Sequence, residues 1–452
     1  MISPARTAAF HALTAIGSGR ADLPAALARS RAQLKDERDR ALAASIVHGT
    51  LRWQRRFDHV IEHMARRPLT KLDPAIVVIA RLSLFQLLFL DRVPAAAVVD
   101  DAVDLARAAK LPSAAGFVNA VLRSTLRQRQ RLPLPPRPAA DAAREDVLRY
   151  LGVTWSHPDW LVARWLDRHG LDATERWLEF NNEPAPLTLR ANRLRMTRQD
   201  VRDALARDDV ETDTTRYAPD GLIVTSGNPL RHPNEGRFVV QDEASQLVPL
   251  TVGAQPGERV LDMCASPGGK TVAIAASMHD SGVLVAGDVR ARRIELMRET
   301  ISASGASSVH LVHLPATGPL PFGQSFDRVL VDAPCSGLGT VRRDPDIKWR
   351  RHESELAALA SRQVDLLTRA ATVIVPGGRL VYATCSSEPE ENDEVVRAFL
   401  ERHSHWRLLD LRSEAPDALR PLLDEAGMFR TLPFAHGLEA FFAAALVNER
   451  RT

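Results

Sequence analysis

The chain has 452 residues, 45% of them hydrophobic and 25% charged, with a net charge of +3. That length predicts two or three domains with real cores. Its most apolar run, Leu82 to Leu90, falls short of the roughly 20 residues a membrane helix needs, and Met1 to Gly19 carries Arg6 and His11 rather than the clean apolar centre of a signal peptide. A soluble protein in a reducing, cytoplasmic setting is expected. The charge is unevenly spread. Residues 1–140 hold 22 Lys and Arg against 11 Asp and Glu, a surplus of 11, while the remainder holds 37 against 45, a deficit of 8. A surplus of that size in one region favours a polyanionic partner such as RNA through counterion release.

In chain order, residues 1–126 show helical periodicity, with Leu82, Phe85 and Leu88, then Val98, Val99, Ala102, Val103 and Ala106, at spacings of three and four. Asp73-Pro74 and Val93-Pro94 mark breaks between helices. An all-helical bundle is expected. Residues 127–140 form a Pro- and Arg-rich linker in which four prolines within six residues rule out a helix and predict a semi-extended spacer. Residues 141–235 mix helix and strand. Trp155 to Leu178 reads as helical, with Trp160, Trp165 and Trp177 as packing residues, and Leu187 to Asn192 reads as a strand. Thr197 with Asp200 forms a capping-box start to a further helix. Arg190, Asn192 and Arg195 are candidates for RNA contact.

From residue 236 to 452 strands alternate with helices, the pattern of a mostly parallel α/β sheet covered on both faces. The predicted strands are Val260 to Met263, Val283 to Gly287, Val309 to Val312, Val329 to Val331, Arg379 to Tyr382 and Ala440 to Val447. Ligands of such sheets bind beyond the carboxyl ends of the strands. Cys264, Asp288, Asp332 and Cys385 all fall there, so they should converge on one site.

The stretch Asp262-Met263-Cys264-Ala265-Ser266-Pro267-Gly268-Gly269-Lys270-Thr271 joins the first of these strands to a helix. Two glycines after a proline let the backbone approach a ligand and aim free N–H groups at it. A phosphate loop of the NTPase kind needs glycine where Cys264 stands, and the dinucleotide fingerprint is absent. Asp288, about 20 residues beyond the glycines, suits a hold on ribose hydroxyls. Cys264, Cys335 and Cys385 are the only cysteines, and neither a C-x-x-C pair nor zinc-like His spacing is present, so no metal and no disulfide framework are expected.

At Leu261 to Thr271, Phe326 to Trp349 and Tyr382 to Asn392 the sequence resembles the S-adenosylmethionine-dependent RNA cytosine-5 methyltransferases. It is most similar to the bacterial Sun/Fmu-type ribosomal RNA enzymes with a NusB-like N-terminal domain. The resemblance implies a Rossmann-like class I methyltransferase domain over 236–452, a small α+β RNA-recognition-like subdomain over 141–235, and a NusB-like helical RNA-binding domain over 1–126, with Gly116 to Arg123 in its closing helix. It implies S-adenosylmethionine as cofactor and 16S ribosomal RNA, naked or in a small-subunit assembly intermediate, as partner, with no membrane and a monomeric chain.

The resemblance also implies roles. Cytosine C5 is a poor nucleophile, so a thiolate must first add to C6. Cys385 of Thr-Cys would be that nucleophile. Cys335 of Pro-Cys would assist proton removal from C5 and release of the adduct, and Asp332 would bond the base at N3 and its exocyclic amine. Lys270 would line the methyl-transfer site. Cys264, Ala265, Ser266, Pro267, Gly268, Gly269, Lys270, Asp288, Arg293 and Asp332 would surround the cofactor. Lys348, beside Trp349, reads as a loop facing RNA. One position departs from the family: an aspartate is usual after the third strand, near the adenine, and His313 or Pro315 stands there. Two other readings share these residues, a DNA- or tRNA-directed cytosine-5 methyltransferase and a non-enzymatic RNA-binding protein with a relic sheet domain.

Overall fold

A computed structural model describes residues 2–139, 141–231 and 234–450. Ala140 of the expected linker and His232 and Pro233 of the expected 141–235 subdomain lie outside the described residues. The chain divides into two units, Met1–Pro184 with Val341–Arg351, and Ala185–Thr340 with His352–Thr452.

The first unit is helical. Its leading segment carries seven α-helices, Pro4–Gly17, Leu23–Gln33, Glu37–Arg52, Gln54–Ala65, Pro74–Phe89, Ala95–Ala108 and Ala115–Arg127. Pro74–Phe89 is apolar on nearly every side and is therefore the central helix, with Ile79, Leu82 and Leu84 at 2% exposure or less. Gly49 lets the helix Glu37–Arg52 cross it closely, since a Cβ there would strike the Phe85 ring. Both proline breaks fall as expected: Asp73 caps Pro74–Phe89 by accepting from Ala75 N, and Pro94 precedes Ala95–Ala108. After it come a short helix, Arg144–Arg149, and a long one, Asp159–Asn182, kinked where Gly170 takes φ +74°. Trp165 and Trp177 stack with ring centroids 4.5 Å apart and are fully buried, whereas Trp160 is only half-buried.

Two segments behave differently from their sequence-based expectation. The Pro-rich stretch is not a free spacer. Leu132 and Leu134 pack on the helical core, His59 Nε2 lies 2.7 Å from the Pro133 carbonyl, Thr154 Oγ1 donates to the Pro135 carbonyl at 2.8 Å, and Arg137 pairs with Asp172 and Glu175. The segment Val341–Arg351, read from sequence as part of 236–452, packs with the helical unit instead. There Trp349 Nε1 donates to the Leu51 carbonyl at 2.6 Å, and Lys348 Nζ to the Arg52 carbonyl at 3.0 Å. Lys348 is fully buried and so is not an RNA-facing loop residue.

The second unit holds two sheets. The smaller is antiparallel, in the order β2-β3-β1-β4, from β1 (Thr188–Ala191), β2 (Glu211–Thr214), β3 (Gly221–Ser226) and β4 (Phe238–Val240), with the capped helix Arg198–Arg207 between β1 and β2. Its Arg190 and Asn192 are buried ties rather than open contacts. Arg190 Nη1 donates to Gln241 Oε1 at 2.6 Å, and Asn192 Nδ2 donates to the carbonyls of Gly236 and Ser304, each at 2.8 Å. Arg195 also donates to the Ser304 carbonyl.

The larger sheet is built from β5 (Arg259–Asp262), β6 (Val283–Asp288), β7 (Val309–His313), β8 (Phe326–Asp332), β9 (Ile374–Thr384), β10 (Trp406–Leu409), β11 (Phe429–Arg430) and β12 (Phe442–Asn448). The order is β10-β12-β9-β8-β5-β6-β7, with β11 on β12. Strands β5 to β9 pair in parallel, while β12 runs antiparallel to β9 and β10 to β12. Because β5 lies between β6 and β8, the strand order reverses at β5, which opens a crevice at its carboxyl end. The central strands are buried on both faces, as their unbroken apolar runs require. No helix among the described residues is long and apolar enough to cross a membrane.

Candidate active site

Five loops meet at the carboxyl ends of β5, β6, β7, β8 and β9. After β5 the chain passes Cys264, Ala265, Ser266 and Pro267 and turns at Gly268, whose φ of +101° caps the helix Gly269–Ser277. A side chain would strain that turn. The first N–H groups of a helix have no partner within it, so this backbone presents donors to a ligand. Ala265 N is held by the Gly287 carbonyl at 2.9 Å, which fixes the loop against β6. Asp262 is fully buried; its Oδ2 accepts from Thr271 Oγ1 at 2.7 Å, while Oδ1 has no partner among the described residues. Burial pushes the Asp262 carboxyl up to about 7. The Cys264 thiol, surrounded by Asp262, Asp332 and Asp288, is pushed above its usual range by burial and then by those charges, so it stays protonated.

Asp288 ends β6 at 4% exposure. Its Oδ1 accepts from Arg290 N at 2.9 Å, and Arg293 Nη1 stands 3.5 Å from Oδ2. His313 ends β7 directly in register with Asp288; it is exposed, with Nε2 3.1 Å from the Val289 carbonyl. Pro315 is also exposed, and its carbonyl accepts from Arg369.

Asp332 ends β8 and accepts from Lys270 Nζ at 2.7 Å. The two side chains are 25% and 15% exposed, and the ammonium lies 5.8 Å from the Phe441 ring centroid. Burial opposes the charge on Lys270, but the Asp332 carboxylate and its hydrogen bond, with Cys385 nearby, raise the pKa, so Lys270 is a cation.

Cys335 follows β8 and Cys385 follows β9, and because those strands are neighbours the two sulfurs lie 3.2 Å apart. The Cys335 thiol is pushed well above its usual range by the hydrogen bond to Cys385, then by burial and by the charges of Cys385 and Glu391. Of the pair, Cys335 therefore keeps its proton. The sequence-singled residues Lys270, Asp332, Cys335 and Cys385 thus stand together, with Cys264, Asp288, Arg293 and His313 at the strand ends on the β5 and β6 side.

One residue was not singled out from sequence. Glu391, fully buried, accepts at Oε1 from Ser336 N at 2.8 Å and Gln363 Nε2 at 3.0 Å, and at Oε2 from the hydroxyls of Ser336 and Ser386. The repeated Cys-Ser of Cys335-Ser336 and Cys385-Ser386, with acids shortly downstream, was the available signal. Among the described residues no group of three or more His, Cys, Asp or Glu could hold a metal.

Three family models match the chain: the NusB family over residues 3–127, a ferredoxin-like domain of RsmF/B-like methyltransferases over 157–231, and 16S rRNA methyltransferase RsmB/F over 249–447. The protein PH0851, of known crystal structure, superimposes with a TM-score of 0.78 at 26% identity, covering 99% of each chain. A methyltransferase homolog from Pyrococcus horikoshii gives a TM-score of 0.56 at 28% identity, covering 68% of this chain and 100% of that one. A probable ribosomal RNA small subunit methyltransferase B of Bacillus subtilis is 33% identical, covering 92% of this chain and 91% of the relative. The enzyme of that name from Pseudomonas putida is 35% identical, covering 93% and 95%. With 33% and 35% identity to relatives that cover 92% and 93% of its length, the chain belongs to the ribosomal RNA small subunit methyltransferase B family.

Proposed function

We propose that the protein methylates C5 of a cytosine in 16S ribosomal RNA through a covalent bond between Cys385 Sγ and C6 of the base. The observation that carries this reading is the pair of thiols in contact at 3.2 Å beside the Lys270–Asp332 ion pair. The surplus of basic residues over 1–140 supports a polyanionic substrate.

S-adenosylmethionine supplies the electrophilic methyl group when bound. The residues present fit it: an unpartnered buried acceptor at Asp262 Oδ1, the N–H groups of the first helical turn from Gly269 onward, and a buried carboxylate at Asp288 for ribose hydroxyls. Asp262 would offer its buried carboxyl group to a ligand that carries net positive charge. His313 stands where the family's adenine-side aspartate would.

In the reacting form Cys385 is the thiolate that addition to C6 requires, with the Cys335 thiol 3.2 Å away and the Lys270 cation nearby. Cys385 Sγ adds to C6, and the electron pair of the C5=C6 bond moves into the ring. Asp332 accepts from the exocyclic amine, and Lys270 offsets the negative charge that develops toward N3 and O2. C5 would then bond the methyl carbon as the methyl–sulfonium bond breaks, its electron pair staying on sulfur. Once Cys385 is a thioether, the hydrogen bond that did most to hold the proton on Cys335 is gone, and for Cys335 to act as base that proton must pass to water. Its thiolate takes the C5 proton as the C6–S bond breaks, and the electron pair of the C–H bond restores the C5=C6 double bond. The site returns to Cys335 thiol and Cys385 thiolate with one proton lost to water, which balances the exchange of hydrogen for methyl.

The test is transfer of labelled methyl to 16S ribosomal RNA, transfer RNA and duplex DNA, followed by nucleoside analysis. Label in 5-methylcytidine of 16S RNA supports the reading. Label in another nucleoside, or preference for DNA, overturns it.

A further inference from the structure

Each of the two cysteines is held from both sides by groups that lie outside the reaction itself. Before Cys335, the Pro334 carbonyl accepts from Gln363 Nε2 at 3.0 Å; after it, Ser336 N and Oγ both donate to Glu391. Before Cys385, Thr384 Oγ1 donates to Asn392 Oδ1 at 2.6 Å. After it, Ser386 Oγ donates to Glu391, and the Ser386 carbonyl accepts from Asn392 Nδ2 at 3.0 Å. The Tyr382 hydroxyl, one turn of strand earlier, donates to the Glu391 carbonyl. The Glu391 side chain reaches both cysteine loops, whose Ser336 and Ser386 hydroxyls also lie 3.2 Å apart. None of the four donors on its carboxyl group is a cation: they are two hydroxyls, one backbone N–H and one amide.

That is a costly arrangement for packing alone, since an apolar residue fills such a place with less desolvation. Its effect is geometric. The loops leave adjacent parallel strands, and beyond the sheet Gly339 N donates to the Cys385 carbonyl at 3.0 Å. A single acceptor shared by Ser336 and Ser386 adds a tie one residue beyond each sulfur and brings the two hydroxyls within 3.2 Å of each other. We propose that Glu391 is a positioning residue for methyl transfer: it gathers Ser336 and Ser386 on one buried carboxylate and so fixes the contact between Cys335 and Cys385. The need for that contact rests on the covalent reading above. Misplacement of reacting groups by about 1 Å can cost about a hundredfold in rate. The charge has a second consequence, because Glu391 also helps to keep Cys335 protonated while Cys385 is free.

Glu391→Gln keeps the shape and removes the charge, and one carboxylate oxygen becomes a donor facing donors. The first measurement involves no RNA. Phenylarsine oxide chelates two thiols only when they are held in contact, so the wild-type protein should bind one equivalent through Cys335 and Cys385. Either single Cys→Ala variant should lose it. Glu391→Gln should bind it at least about tenfold more weakly, with S-adenosylmethionine affinity unchanged. The second measurement is turnover on RNA, expected to fall at least about tenfold in kcat with KM for RNA within about twofold. A role confined to stability would lower the melting temperature and leave the arsenical affinity of the folded protein alone.

If Glu391→Gln does not fold, the double variant Ser336→Ala, Ser386→Ala takes the same two tests, since it removes both hydroxyl ties and leaves the carboxylate on Gln363 and the backbone N–H of residue 336, with no bond to the Cys385 loop. Wild-type arsenical affinity in whichever variant folds overturns the proposal. Methylation that survives Cys385→Ala overturns the covalent reading instead, and does so without touching the arsenical result.

Discussion

Asp262 offers a pH dependence with a defined sign. Its carboxyl is fully buried at the base of the cofactor loop and is pushed up to about 7 by burial. In the free protein it is therefore about nine-tenths protonated at pH 6 and about one-tenth at pH 8. S-adenosylmethionine carries one net positive charge, from a sulfonium and an ammonium against a carboxylate, and so favours the ionised form. Binding should draw the proton off. If the bound state holds Asp262 ionised throughout, affinity rises as pH rises, by about tenfold from pH 6 to pH 8, and about half a proton is released per cofactor at pH 7. Calorimetry in buffers of different ionisation enthalpy measures both quantities. Asp262→Asn should abolish the slope and the proton release. His313→Asn, at the neighbouring strand end, should leave the slope in place. A flat wild-type profile, or an equal slope in Asp262→Asn, refutes the placement of a cation over Asp262.

Two further predictions follow from single residues. His313→Asp restores a carboxylate beside Asp288, where the two strands pair in register, and should tighten S-adenosylmethionine by about 1 kcal/mol, or about fivefold, in the same calorimetric assay; an unchanged or weaker constant removes the adenine contact from that position. Lys348 is fully buried, and burial together with Arg52 lowers its pKa well below the usual value, so the unfolded chain binds its proton more readily than the folded one. Stability should then rise with pH from the folded pKa up to the unfolded value. Lys348→Met should remove that contribution and raise stability near neutral pH by about 1 kcal/mol in thermal or urea unfolding. A destabilised variant with an unchanged slope would mean that the ammonium is solvated in the native state.

The alternation of strand and helix from residue 236, with apolar runs ending in Asp262, Asp288, Asp332 and Thr384-Cys385, was enough to place the crevice. Strand ends of a parallel sheet converge whatever their loops do. The short strands Trp406–Leu409 and Phe429–Arg430 were not legible, because they are set by pairing with β12 rather than by their own pattern. Helical periodicity revealed the first 126 residues but not where their unit ends. The segment Arg343-Asp344-Pro345-Asp346-Ile347-Lys348-Trp349 is polar in composition and reads as a loop. Only its distant partners, the carbonyls of Leu51 and Arg52, explain why Lys348 and Trp349 are held. For that reason a deletion of residues 1–140 is a poor probe of RNA binding: it strips the partners of Lys348 as well as the basic surplus, so single arginine substitutions are the cleaner choice. Arg190 and Asn192 show the same limit. A polar side chain on a short strand looks like an RNA contact until the carbonyls of Gly236 and Ser304 and the amide of Gln241 are seen to use it. Glu391 was hidden among three glutamates within four residues, of which its own register alone reaches both serines.

The central claim is the division of labour between the two thiols. The direct measurement is a denaturing gel of Cys385→Ala and Cys335→Ala after incubation with RNA and S-adenosylmethionine. Cys385→Ala should give neither methylated RNA nor a covalent complex, because C5 is never activated. Cys335→Ala should methylate once and remain joined to its RNA through denaturation, because nothing takes the C5 proton. A trapped complex with Cys385→Ala and none with Cys335→Ala would reverse the two roles, and full activity in both variants would contradict covalent catalysis altogether.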